Sequence, residues 1–224
     1  MFSKSSFKKS IAIKICGITK ISQAKEIAKL RVNAIGVIGV RKSPRFVEEG
    51  KCSMIFNEVE KVSSTIERVL VIANEDLENI KKINSRLITP SVIQLHGDES
   101  VEYCREIKNQ YPTIKFWKAF RIRTPEDLQK IKQYEKYVDS FLLDAWDNEN
   151  LGGTGHRVPL EFLTNKTFNL PWILAGGISS DLIPEILSKV TPNGIDASSK
   201  LEISPGIKDI IKVKSLVNSI RELN

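Results

Sequence analysis

Eight short apolar runs, each followed by a segment with helical spacing, recur along the chain, and this alternation narrows the possible folds more than any other feature. The runs occupy residues 11–16, 34–40, 68–73, 92–95, 115–120, 138–143, 172–175 and 194–197. Helical spacing covers residues 22–30, 47–62, 76–86, 100–109, 125–134, 159–163, 181–189 and 208–223. Strand–helix units repeated without a linker or composition shift predict an α/β fold, a single-domain (β/α)8 TIM barrel over residues 11–224. Residues 1–10 are polar and basic, lack the apolar stretch of a secretory signal peptide, and read as a flexible N-terminal extension. The main alternative is a doubly wound open sheet. It loses ground because no Gly-x-Gly-x-x-Gly turn follows the first run.

Several boundaries carry their own chemistry. Thr124-Pro125-Glu126-Asp127 supplies a cap residue, then Pro at the first helical position, then acids in the first turn. Asp98-Glu99 and Ser180-Asp181 are read as opening the fourth and seventh helices.

Composition excludes several functions. No apolar run approaches the roughly 18 residues that span a bilayer, so a soluble protein without a membrane partner is expected. The net charge of +7 raises the question of nucleic acid, but Lys and Glu are interleaved, as in Glu58-Val-Glu60-Lys61 and Glu78-Asn-Ile-Lys81-Lys82. That pattern marks solvated helix faces, and no aromatic–basic platform accompanies it, so no nucleic-acid partner is expected. The three cysteines, at 16, 52 and 104, form neither a disulfide framework nor a close-spaced zinc motif, which fits a reducing, cytoplasmic location. With two histidines and no clustered acids, no metal site is expected.

A barrel places its site where strands end. The expected strand ends here are Cys16-Gly17, Arg41-Lys-Ser43-Pro44-Arg45, Gln94-Leu-His96-Gly97, Leu143-Asp144-Ala145, Ala175-Gly176-Gly177-Ile178 and Asp196-Ala-Ser198-Ser199. A Gly-rich loop, Leu151-Gly152-Gly153-Thr154-Gly155, follows the sixth strand. Gly176 and Gly177 let backbone N–H groups approach an oxyanion, and Ser198 and Ser199 add hydroxyls where a short extra helix should begin. That pairing predicts a phosphate corner. Cys16 alone reads more readily as a small buried hydrophobe than as a nucleophile or base.

Taken together, Lys14-Ile-Cys-Gly-Ile-Thr19, Ser43-Pro-Arg45, Gln94-Leu-His-Gly97, Leu143-Asp144, Gly152-Gly-Thr-Gly155, Leu174-Ala-Gly-Gly-Ile178 and Gly206-Ile-Lys-Asp209 resemble the phosphoribosylanthranilate isomerase family. The motifs run in order over nearly the whole chain beyond the first ten residues. The resemblance implies an Amadori rearrangement in tryptophan biosynthesis that needs no cofactor or metal. The substrate is N-(5′-phosphoribosyl)anthranilate and the product 1-(2-carboxyphenylamino)-1-deoxyribulose 5-phosphate. It assigns Asp144 as general acid and Cys16 as general base, with Arg45 holding the anthranilate carboxylate. His96, Gly153, Gly176, Gly177, Ser198 and Ser199 are the expected further substrate contacts. Family members occur as monomers and homodimers.

Geometry bears on this independently. Strands 1 and 6 lie three steps apart around an eight-membered ring, so their ends face each other across the mouth. A carboxyl near pKa 4 is ionised at neutral pH, so Asp144 needs apolar surroundings to hold a proton. A thiol near 8.5 needs a nearby cation to ionise. Lys14 shares a strand face with Cys16, one layer deeper, and is expected to pair with Asp196 and bias the thiol toward thiolate. The alternative for Lys14 is a purely structural role.

Three stretches depart from the family pattern: His156-Arg-Val-Pro159 after the Gly-rich loop, Ser199-Lys200-Leu201-Glu202 at the phosphate corner, and Gly36-Val-Ile-Gly39-Val40, which lacks the usual phenylalanine. They bear on affinity and loop closure more than on the reaction. The competing readings are another phosphate-binding barrel, such as an indole-glycerol-phosphate synthase or a sugar-phosphate epimerase, and a catalytically silent barrel that serves as a binding subunit.

Overall fold

A computed structural model describes residues 10–84, 90–145 and 158–223. Eight parallel strands close into a barrel in sequence order. They are β1 Ala12–Ile15, β2 Ala34–Ile38, β3 Glu67–Ile72, β4 Val92–Leu95, β5 Lys115–Ile122, β6 Ser140–Ala145, β7 Trp172–Leu174 and β8 Gly194–Ala197. The ring closes where β1 meets β8, with Lys14 opposite Asp196 and Ile15 opposite Ala197. The helices are α1 Ile21–Lys29, α2 Glu49–Val62, α3 Leu77–Asn84, α4 Val101–Gln110, α5 Asp127–Ile131, α6 Ile183–Lys189 and α7 Ile210–Glu222. None of the described helices is long and apolar enough to cross a membrane.

The strands form because β-branched residues dominate the runs and both faces are covered. Outward-facing Ile35, Ile93, Leu95, Phe116 and Phe141 pack with Ile27, Ile55, Phe56, Leu216 and Ile220 of the helices in one continuous core. Fully burying side chains of this kind contributes about 1.5–3 kcal/mol each. Inward-facing residues fill the lumen in two groups, Ala34, Val69, Val71 and Val92 below Cys16, and Ala119, Leu142, Ile173 and Ala175 opposite, with Trp117 packed against both. The barrel is therefore a packed plug, and only its rim is open to chemistry.

Three local expectations change. Glu99 does not open α4. Ser100 caps it, accepting from the Tyr103 N–H at 3.1 Å, while Glu99 turns inward to an ion pair with buried Lys118 at 3.0 Å. Residues 125–134 do not form one helix. The Asp127 carboxylate accepts the N–H groups of Arg123 and Thr124, so α5 starts late and gives way to a 3-10 turn at Lys132–Tyr134.

The last helix does not begin at Lys208. A short antiparallel hairpin, β9 Glu202–Ser204 and β10 Ile207–Lys208, stands between β8 and α7. Gly206 permits its turn at φ +81°, where a Cβ would also lie 2.9 Å from the Thr19 methyl. Asp209 then caps α7, accepting from Ile211 and Lys212.

Candidate active site

Cys16 follows directly on β1 and is 6% exposed. Its N–H donates to the Ala197 carbonyl at 3.0 Å, and its own carbonyl accepts from the Ser198 hydroxyl at 3.0 Å. Two glycines make room around it. A Cβ on Gly36 of β2 would stand 2.6 Å from the Cys16 sulfur, and one on Gly17, at φ +75°, would stand 2.7 Å from Arg45 Cδ. The absence of side chains at 17 and 36 is thus what admits the thiol and the arginine to the same corner.

Below the thiol, Lys14 Nζ donates to Asp196 Oδ2 at 2.8 Å, the pairing expected from the sequence. Burial pulls the Lys14 ammonium down, but Asp196 and Cys16 outweigh it, so the lysine stays charged above its ordinary range. For Cys16, burial is the largest influence and pushes the thiol up. Lys14, and more weakly Lys208, draw it back toward thiolate without reversing the sign. Lys14 therefore acts in the expected direction and is outweighed. A thiol tuned upward is sparsely ionised at neutral pH but is the stronger base when it is.

Asp144 is the penultimate residue of β6 and is 7% exposed. Its Oδ1 accepts from the Ala145 N–H at 2.9 Å. His96, just past β4, places Nε2 3.5 Å from Asp144 Oδ2, too far for a normal hydrogen bond. The Gln94 amide, one pleat below on the same strand face, lies 2.8 Å from His96 Nδ1. With that amide donating, the imidazole proton sits on Nε2, toward Asp144. His96 Nε2 and Gln94 Oε1 are buried without a hydrogen-bond partner among the described residues.

Arg45 is 8% exposed, and its fork is held by the protein itself. Nε donates to Glu202 Oε1 at 2.9 Å, and Nη2 to Oε2 at 2.8 Å. Lys208 Nζ reaches the same carboxylate at 2.7 Å. Burial pushes the Glu202 carboxyl up, but Arg45 and Lys208 outweigh it and hold it below the ordinary carboxylate range. The side-on edge of Arg45 is therefore committed, and the end-on edge, Nη1 with the second hydrogen of Nη2, is what remains for a ligand.

At the expected phosphate corner, Gly176 and Gly177 follow β7 with φ of +90° and +60°. Ser198 leads into a 3-10 turn at Ser199–Leu201. The Ser198 hydroxyl differs from expectation, because its hydrogen goes to the Cys16 carbonyl and it accepts from Lys208 at 3.2 Å. What this corner can offer an oxyanion is backbone N–H groups and the Ser199 hydroxyl. Gly153, its Gly-rich loop and His156 lie outside the described residues. Among the described residues no group of three His, Cys, Asp or Glu side chains is placed to hold a metal ion.

Sequence reasoning missed four participants: Gly36, Gln94 as the partner of His96, Glu202 as the partner of Arg45, and Lys208. Lys208 stood in the sequence as part of the Gly206-Ile-Lys-Asp209 motif, with no role attached to it.

Comparisons with known proteins bear on the family and the fold. The family model described as N-(5′phosphoribosyl)anthranilate (PRA) isomerase matches residues 13–219. The N-(5′-phosphoribosyl)anthranilate isomerase of Crocosphaera subtropica is 39% identical over 212 residues, covering 95% of this chain and 99% of the relative. A crystal structure of phosphoribosyl anthranilate isomerase in complex with reduced 1-(o-carboxyphenylamino)-1-deoxyribulose 5-phosphate superposes with a TM-score of 0.76 at 25% identity, covering 95% of this chain and 99% of that one. Mutually generated monomers of the dimeric Thermotoga maritima isomerase superpose with a TM-score of 0.75 at 26% identity, with coverages of 95% and 99%. The family-model match over residues 13–219 and the 39% identity to a relative over 95% of the chain place the chain in the N-(5′-phosphoribosyl)anthranilate isomerase family.

Proposed function

We propose that the chain converts N-(5′-phosphoribosyl)anthranilate to 1-(2-carboxyphenylamino)-1-deoxyribulose 5-phosphate in tryptophan biosynthesis, with Asp144 as general acid and Cys16 as general base. The observation that carries the reading is the pair itself. Both groups are buried at carboxyl ends of strands β1 and β6, three apart in a closed eight-stranded ring. A sugar lying over the packed lumen would meet one on each side.

In the first step Asp144 gives its proton to the ribose ring oxygen. The C1′–O bond breaks, and the amine lone pair forms the C1′=N double bond of a protonated Schiff base. The Cys16 thiolate then removes the C2′ proton. The released electron pair forms C1′=C2′, and the iminium electrons return to nitrogen, giving an enolamine. Tautomerisation moves a proton from the C2′ hydroxyl to C1′ and leaves the ketone.

Oδ1 of Asp144 is tied to the Ala145 N–H, which leaves Oδ2, at the rim beside His96, to carry the transferred proton. The end-on edge of Arg45 takes the ring carboxylate. Backbone N–H groups at Gly176, Gly177 and Ser199 take the phosphate, and the Gly153 loop supplies a further contact.

The test is to mix purified protein with fluorescent phosphoribosylanthranilate and follow the decay of its emission. Parent protein quenches the signal. Cys16→Ala and Asp144→Ala each slow it by about 10²–10⁴-fold, the worth of one positioned proton-transfer group. Undiminished turnover in both variants would overturn the assignment.

A further inference from the structure

Three lysines are buried among the described residues: Lys14, Lys118 and Lys208. Lys14 fills the lumen against Asp196. Lys118 anchors the β4–α4 turn, donating to the Gly97 carbonyl and pairing with Glu99. Lys208 belongs to neither the barrel strands nor a helix, yet no part of its side chain reaches solvent. It rides on β10 and extends back over the end of β8. Its three ammonium hydrogens meet three acceptors: Glu202 Oε1 at 2.7 Å, Ser198 O at 3.1 Å and Ser198 Oγ at 3.2 Å. A Cβ on Gly17 would stand 3.5 Å from the same nitrogen.

A buried, fully bonded ion pair is a poor way to gain stability, because an apolar pair of the same shape does as well or better. The partners of Lys208 suggest what else it does. Glu202 holds the Nε/Nη2 edge of Arg45, and Ser198 holds the Cys16 carbonyl. One ammonium thus stands behind the arginine and behind the strand end that carries the thiol. Charge points the same way. Glu202 alone would cancel Arg45, whereas two cations around one carboxylate leave the corner positive, as an anionic substrate requires.

We propose that Lys208 is a positioning residue: it locks Glu202 across one edge of Arg45, so that the other edge is aimed at the substrate carboxylate and held in register with Cys16. The proposal rests on the reading of Arg45 as the carboxylate grip. It assigns no chemistry to Lys208 itself.

The experiment is a double-mutant cycle on KM for phosphoribosylanthranilate, using Lys208→Met, Arg45→Ala and the two combined. Lys208→Met raises KM about ten-fold or more while lowering kcat by a smaller factor, and its effect on KM largely vanishes when Arg45 is already alanine. Lys208→Gln removes the charge but keeps amide hydrogens for Glu202 and Ser198, and Glu202 stays paired with Arg45. It keeps the test open if Lys208→Met does not fold, and it shows the same rise in KM. A KM within about two-fold of the parent in a folded Lys208 variant, or increments that simply multiply with those of Arg45→Ala, overturns the proposal. If Arg45→Ala itself leaves KM unchanged, the carboxylate grip is wrong and the proposal falls with it. If Arg45→Ala raises KM and neither Lys208 variant does, only the proposal falls.

Discussion

The sulfur of Cys16 occupies the space that a side chain on Gly36 would fill. A Cβ built at residue 36 lies 2.6 Å from Sγ and 3.2 Å from both Cα and Cβ of Cys16. The sulfur could rotate away, but the Cys16 backbone cannot. Its N–H is bonded to Ala197 and its carbonyl to Ser198. Gly36→Ala therefore turns the thiol out of its position, or spreads β1 from β2, whose register pairs Lys14 with Ala34 and Ile15 with Ile35. A displacement near 1 Å at a reacting group lowers turnover by about 10²-fold. The expected variant is folded by circular dichroism and slow by roughly that factor. A parent-like kcat would show that Gly36 is not what places the sulfur.

The ionisation of Cys16 follows from which influence wins there. Burial pushes the thiol above its ordinary value of 9.0, and Lys14 pulls against it. Only the thiolate is alkylated, so the rate at which iodoacetamide modifies Cys16 in the free protein rises with pH through neutrality and is still rising near the ordinary value of 9.0. Lys14 is the largest influence drawing the thiol down, and Asp196 is a weaker one pushing it up. Lys14→Met, paired with Asp196→Asn so that no lone carboxylate is buried, therefore removes more downward than upward pull and moves the rising limb to higher pH. The neutral-pH rate falls about ten-fold for each pH unit the limb moves. A limb that stays in place would make Lys14 a structural lysine only.

Glu202 contributes to stability on the acid side. Arg45 and Lys208 hold its folded-state carboxyl below the ordinary 4.5 even though burial opposes them. A carboxyl with a depressed folded pKa contributes stability that is present above its unfolded value and lost as pH falls through the folded one. Urea midpoints of the parent should thus fall as pH drops below about 4.5, and Glu202→Gln should be less stable at neutral pH yet lose less on acidification. Parallel pH curves for the two proteins would contradict this assignment.

Much of this was legible in the sequence, and the pattern of what was not has a physical reason. The eight barrel strands lie where the apolar runs lie, because a strand covered on both faces must be apolar throughout. Cys16 and Asp144 were legible because each breaks such a run at its carboxyl end. The charged corner was not. Arg45 was expected at the substrate carboxylate, but its partner Glu202 stands 157 residues away in sequence, and Glu202 and Lys208 each read locally as one more surface charge in a chain with 34 Lys and Arg and 27 Asp and Glu. The β9–β10 hairpin escaped for a related reason. Its strands are three and two residues long, and Ile203 points to solvent at 73% exposure, so no apolar alternation announces it. Tertiary hydrogen bonds set its place, and periodicity does not report those.

Those tertiary bonds give the last prediction. Thr19, two residues past the Gly17 turn, donates from its hydroxyl to the Gly206 carbonyl at 2.6 Å. Gln23 brackets Lys208, donating to its carbonyl at 2.7 Å and accepting its N–H at 3.0 Å. Asp209 then starts α7, whose Val213, Leu216, Val217 and Ile220 are buried in the outer core. The first turn of α1 and the residue before its cap thus clamp the segment that delivers Lys208, and Asp209 fixes where the last helix begins. Thr19→Val removes the hydroxyl at nearly constant volume and is expected to cost about 1 kcal/mol. Asp209→Ala leaves two α7 N–H groups without their acceptor and is expected to cost about 1–2 kcal/mol. Both show as lower urea midpoints with unchanged slope. Because Thr19 bonds the hairpin turn from which Lys208 departs, and Asp209 only the helix beyond it, Thr19→Val should also raise KM whereas Asp209→Ala should not. Equal effects on KM would mean that the hairpin and α7 move as one body, and that the clamp from α1 contributes nothing of its own to the site.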